Sequence, residues 1–122
     1  MNRLAVGLAA AITVFAVTEA GSQSQSKDNA VRAGQSVAVT TCISCHVVSR
    51  NQPLEPILGH GIPSFEEIAN RPNVTIDSLT AAMKVARWHD PGMAPTLLPM
   101  SHISDTQRAQ VAAYILSLRT QP

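Results

Sequence analysis

Residues 42–46 read Cys42-Ile43-Ser44-Cys45-His46, and these five decide how the rest of the chain is read. They hold the only two cysteines in 122 residues, separated by two positions and followed at once by histidine. This spacing admits several chemistries. Zinc takes four ligands, commonly from two such pairs, and the chain has one pair. A thioredoxin-like dithiol sits in a βαβ setting, and no convincing period-2 strand flanks the motif. A disulfide across two intervening residues closes almost no loop and stabilises little. The adjacent His46 favours a fourth chemistry, the covalent attachment of haem. Each thiol can form a thioether to one vinyl group of the ring, and the imidazole of the next residue then lies beneath the iron as proximal ligand.

The sequence on either side of the motif is helical in pattern. Upstream, Val31, Gly34, Val37, Ala38 and Thr41 fall close to one stripe. They predict a helix from about Asn29 to about Cys42, with Asp28 as its N-cap. Downstream, Pro53, Pro56 and Pro63 with Gly59 and Gly61 forbid a regular element, so 51–63 reads as an irregular loop. Ser64-Phe65-Glu66-Glu67 is a capping box that opens a short helix, closed by Pro72. Thr75 can cap the next helix, in which Ile76, Leu79, Met83 and Ala86 keep the i, i+3, i+7 spacing. His89 to Pro99 is a second loop, broken by Pro91, Gly92, Pro95 and Pro99. Ser104-Asp105-Thr106-Gln107 is another capping box. Its helix puts Val111, Tyr114, Ile115 and Leu118 on one face, leaving Arg108 and Arg119 for water. The fold class is all-α, with two long loops that call for something to wrap.

The N-terminus carries an address. Met1-Asn2-Arg3, an uncharged and mostly apolar run from Leu4 to Thr18, and the small Ala20 predict a secretory signal peptide over 1–20. The run is shorter than the ~20 residues a spanning helix needs, which argues against stable membrane insertion. Residues 21–28 read as a flexible leader, and 29–122 as one domain. Without residues 1–20 the balance is eight basic to seven acidic side chains, a net charge of +1. That excludes a nucleic-acid binder working through bulk charge. Phe65, Trp88 and Tyr114 are then the only aromatics left. A small domain so poor in large rings is short of core area, which a large planar cofactor would supply. No catalytic acid–base pair and no Gly-rich phosphate loop stand out, so the expectation is that the chain is not an enzyme.

Helix, Cys-x-x-Cys-His, proline-rich loop, middle helices, methionine-bearing loop and C-terminal helix follow one another in this order. In that order the chain resembles the class I c-type cytochromes over essentially its whole length after residue 28. The resemblance implies a fold whose N- and C-terminal helices cross, with middle helices and loops wrapped around one covalent haem c. Gly34, eight residues before Cys42, is similar to the family glycine that lets the two terminal helices approach closely. Tyr114 in Ala113-Tyr114-Ile115 is similar to the aromatic that packs on that glycine. Pro53 or Pro56 is similar to the proline whose carbonyl accepts the Nδ1 proton of the haem histidine, a contact that fixes tautomer and orientation. Two features depart from the pattern. Ala38 stands where relatives often carry an aromatic, and the Gly-Pro-x-Leu signature is blurred into Pro53-Leu54-Glu55-Pro56-Ile57-Leu58.

The distal ligand divides the sequence. A thioether opposite His46 would give the six-coordinate, raised-potential iron of electron transfer. Met83 lies on the apolar stripe of a helix, where packing is the better reading. Met93, in Pro91-Gly92-Met93-Ala94-Pro95, resembles the family's ligand loop and is favoured as the axial ligand. Met100, in Leu98-Pro99-Met100-Ser101, is the alternative. His60, His89 and His102 are rivals that read more simply as solvated loop residues. Trp88 and Arg87 can donate to a haem propionate, though Trp88 reads equally as a core anchor. The implied function is a periplasmic one-electron carrier, a monomer docking transiently with redox proteins at its exposed haem edge. The competing readings are a five-coordinate or bis-histidine haem protein, acting as an enzyme or gas binder, and a dedicated subunit of one redox enzyme.

Overall fold

The computed structural model describes residues 20–58, 61–85 and 103–120. Among these every regular element is helical: α1 (Ala20–Thr41), α2 (Phe65–Ala69), α3 (Ile76–Val85) and α4 (Asp105–Ser117). α4 is the hub, packing on α1, α3 and α2. This is an all-α arrangement, as the apolar spacing predicts, with N- and C-terminal helices in contact, as the resemblance implies.

The contact between α1 and α4 is made by residues with little or no side chain. Ala38 and Ala112 are fully buried, and Val111 is nearly so. A Cβ added at Gly34 would run into the backbone carbonyl of Gln110 and come within 2.9 Å of the Val111 nitrogen. Only glycine admits so close an approach of two helix backbones. The residue across from Gly34 is therefore Gln110–Val111, one turn before Tyr114. Tyr114, one turn further along α4, is buried in the same core, and its hydroxyl donates to the Val48 carbonyl at 2.8 Å.

Both capping boxes form. The Ser64 side chain accepts from the Glu67 N–H while the Glu67 carboxylate accepts from the Ser64 N–H, and Ser104 and Gln107 do the same for α4. The Ser64 N–H holds the Glu67 carboxyl below the usual carboxylate range. Thr75 caps α3 in a matching exchange with Ser78. Just upstream, Asn73 takes a positive φ of 61°, a conformation asparagine tolerates better than most residues. α2 stops at Ala69 with Asn70 as its C-cap, ahead of Pro72.

Several expectations need correction. The described helix α1 takes in residues 21–28, expected as a flexible leader, and Asp28 lies inside it rather than capping it. Residues 22–29 are all exposed. Their helicity is an outward extension of the packed part, since adding turns to an existing helix is far easier than nucleating one. Ile76 is 43% exposed at the start of α3, while Leu79 is buried and Met83 packs against the core. Arg119 is exposed to water, as expected, and also bonds inward. Its guanidinium donates to the carbonyls of Ala69 and Val74, tying the end of α4 to the α2–α3 connection. Arg108, largely covered, pairs with Asp105 at 2.7 Å.

Candidate functional site

The motif closes α1 and turns off it in one helical turn. Cys42 N–H donates to Ala38 O at 2.9 Å, Cys45 N–H to Cys42 O at 3.1 Å and His46 N–H to Cys42 O at 2.9 Å. Residues three apart on such a turn share a face, so Cys42 and Cys45 point the same way. Both are free thiols and both are buried. Burial, with Cys45 nearby as a smaller cause, pushes the Cys42 thiol up to about 11, and burial also raises Cys45. A dithiol built for exchange chemistry shows the opposite shift, so the pair does not read as a thioredoxin-like centre. Among the described residues no group of three or more His, Cys, Asp or Glu side chains could hold a metal ion.

His46 is held by a single strong contact. Its Nδ1 lies 2.7 Å from the carbonyl oxygen of Pro63. A carbonyl only accepts, so Nδ1 carries the proton and Nε2 is left with its lone pair free for a metal. The acceptor is Pro63, not Pro53 or Pro56 as the sequence suggests. Pro53 is exposed and Pro56 half-buried within a loop that connects to the motif differently: the Leu58 N–H donates to Ser44 O at 2.9 Å. Pro63 succeeds because its neighbours place it. Gly61, at a φ of 76° that favours glycine, turns the chain toward it. Ser64, immediately after it, is locked as the N-cap of α2. The Phe65 N–H then donates to Val47 O at 2.9 Å, stitching α2 to the residue following the histidine.

Aromatic side chains back the imidazole. The Phe65 ring is 5.3 Å from that of His46 at 50°, and 6.3 Å from Tyr114 at 63°. In the loop that follows the motif, Leu54 and Ile57 are 77% and 86% exposed and Leu58 is 43% exposed. The Leu58–Ser44 bond brings this bare apolar loop alongside the motif. Met93 and Met100, with His60, His89, His102, Arg87 and Trp88, lie outside the described residues.

The cytochrome c family model matches residues 31–119, most of the chain. The chain belongs to the cytochrome c family. No curated protein and no solved structure matches it. Membership implies haem c and makes the chain a haem-binding electron carrier. The residues present fit that group: two free thiols on one face of a turn, an imidazole with Nε2 available, and apolar side chains on the adjoining loop. No helix among the described residues is long and apolar enough to cross a membrane.

Proposed function

We propose that the chain carries single electrons on one haem c, attached through thioethers of Cys42 and Cys45, with His46 as proximal and Met93 as distal iron ligand. The observation that carries this reading is the 2.7 Å contact between His46 Nδ1 and Pro63 O beside two free, buried cysteines. When bound, the haem supplies the one-electron change between ferrous and ferric iron. The chain's own part is to hold still. Cys42 and Cys45 fix the ring, the Pro63 carbonyl keeps the His46 proton on Nδ1, and the interlocked helices limit rearrangement as charge changes. In the sequence Met93 follows Pro91-Gly92, a pair that favours bends, and precedes Pro95, whereas Met100 leaves fewer residues before the Ser104 cap. The reading includes no enzymatic step. It places the protein in the periplasm after removal of residues 1–20, as a monomer meeting redox proteins transiently at the haem edge.

Acid–acetone extraction tests attachment: colour should stay with the denatured protein, whose mass exceeds the polypeptide's by one haem. Complete loss of colour on extraction would sink it. Met93→Ala should remove the sulfur-to-iron charge-transfer band at the red end of the spectrum and lower the reduction potential, while Met100→Ala keeps the band. The reverse pattern moves the role to Met100. An unchanged low-spin spectrum in both variants would end the His/Met assignment.

A further inference from the structure

The Pro63 carbonyl cannot by itself fix the plane of the His46 ring. Carbonyl oxygens accept over a broad range of directions, so the 2.7 Å bond tethers Nδ1 while tolerating tilt of the imidazole about it. We infer that Phe65 is a positioning residue for the His46 ligand, its ring setting the imidazole plane that the iron meets. This rests on the proposed role of His46 as iron ligand and goes beyond it, to a side chain that does not itself reach the metal.

The Phe65 ring lies 5.3 Å from the imidazole at 50°, close enough that any swing of the imidazole toward it meets carbon. Phe65 is itself immobilised from three directions. It is 3% exposed. Its N–H is bonded to Val47 O, beside the ligand it supports. Its ring rests edge-on against Tyr114, whose hydroxyl donates to Val48 O. The Val48 N–H is taken in turn by the Gln52 side chain at 2.9 Å. The two residues after His46 are therefore anchored to α2 and α4, and the two rings between those anchors form a stack ending on the imidazole. The Ser64–Glu67 box fixes the start of this bracket, placing Pro63 and Phe65 on either side of one rigid cap. Supporting groups of this kind orient a ligand and tune the metal it holds.

The test is Phe65→Leu in the haem-loaded protein, with Val111→Ala as a comparator that loosens the same core at the α1–α4 contact and Phe65→Tyr to restore the ring. The ferric g-value spread and the pattern of haem-methyl proton shifts report ligand-plane orientation; the reduction potential is measured alongside. Phe65→Leu should change the spread and pattern and shift the potential, Phe65→Tyr should return both toward wild type, and Val111→Ala should leave them in place. A wild-type pattern in Phe65→Leu, or an equal change in Val111→Ala, would overturn the inference. If Phe65→Leu does not accumulate, nuclear Overhauser contacts between the Phe65 and His46 rings in the wild-type protein decide it, and their absence overturns it. His46→Ala separates the two assignments. An unchanged iron spectrum there removes His46 as a ligand, and the inference with it. A changed one beside an inert Phe65→Leu removes Phe65 alone.

Discussion

α1 is one helix with two different halves. From Val31 to Thr41 it lies on α4, with Gly34 and Ala38 buried and Val31, Val37 and Thr41 half-covered. Residues 22–29, in the same helix, are all exposed, with a side-chain bond from Gln25 to Asn29 at 3.4 Å on their surface. The packed half has an apolar stripe and the extension has none. Tertiary burial therefore sustains one half, whereas the other depends on its continuity with it. A polar helix with no apolar face gains little from the fold it is joined to.

Breaking the packed half should have the largest effect. Gly34→Leu forces side-chain volume against the Gln110 backbone, which cannot swing aside as a flexible side chain would. The expected loss is at or above the upper end of the ~1–3 kcal/mol typical of overpacking. Even Gly34→Ala, which on helix propensity alone would gain about 1 kcal/mol, should lose stability because its one added carbon meets the same carbonyl. Urea unfolding measures both. A Gly34→Leu protein unfolding with the wild type would refute the α1–α4 crossing. Next in size is Tyr114→Phe, which keeps the ring and deletes the hydroxyl. The Val48 carbonyl then loses its partner inside the core, at a cost of ~1–3 kcal/mol. An unaltered unfolding midpoint would mean that water replaces the hydroxyl at Val48.

Much of this was legible because the signals were local. Ser64 and Glu67, and Ser104 and Gln107, announce helix starts through three-residue spacing alone, and both boxes formed. Gly34 stood out as a glycine inside an apolar helical stripe, and the stripe's buried residues are those the spacing names. The backbone that closes on Gly34 was less legible: it is that of Gln110 and Val111, and register between two helices is a tertiary property. The proline beside His46 was misplaced for a similar reason. Pro53, Pro56 and Pro63 are equivalent as loop punctuation. What singles out Pro63 is the turn at Gly61 and the cap at Ser64, and these act only once α2 is docked through Phe65 to Val47. The inward bonds of the exposed Arg119 do not show on a helical wheel, because its acceptors, the carbonyls of Ala69 and Val74, belong to segments about fifty residues away.

The helical extension gives the smallest expected effect and sharpens the comparison from its weak side. Glycine inside a helix costs about 1 kcal/mol relative to alanine, but that cost is charged to global unfolding only if the helix stays formed whenever the domain is folded. Gln25 is exposed and sits more than a turn before the first packed residue, Val31. Gln25→Gly can therefore fray residues 20–30 while Gly34 and Ala38 remain on α4. The expected outcome is a drop in far-ultraviolet helical signal with the unfolding free energy unchanged to within ~0.5 kcal/mol, the range of surface substitutions away from special features. Val37→Gly, in the packed half, carries the same backbone penalty plus lost burial and should lower global stability clearly. If Gln25→Gly matched Val37→Gly in urea, the extension would have to be covered in solution, and the contrast between the two halves of α1 would disappear.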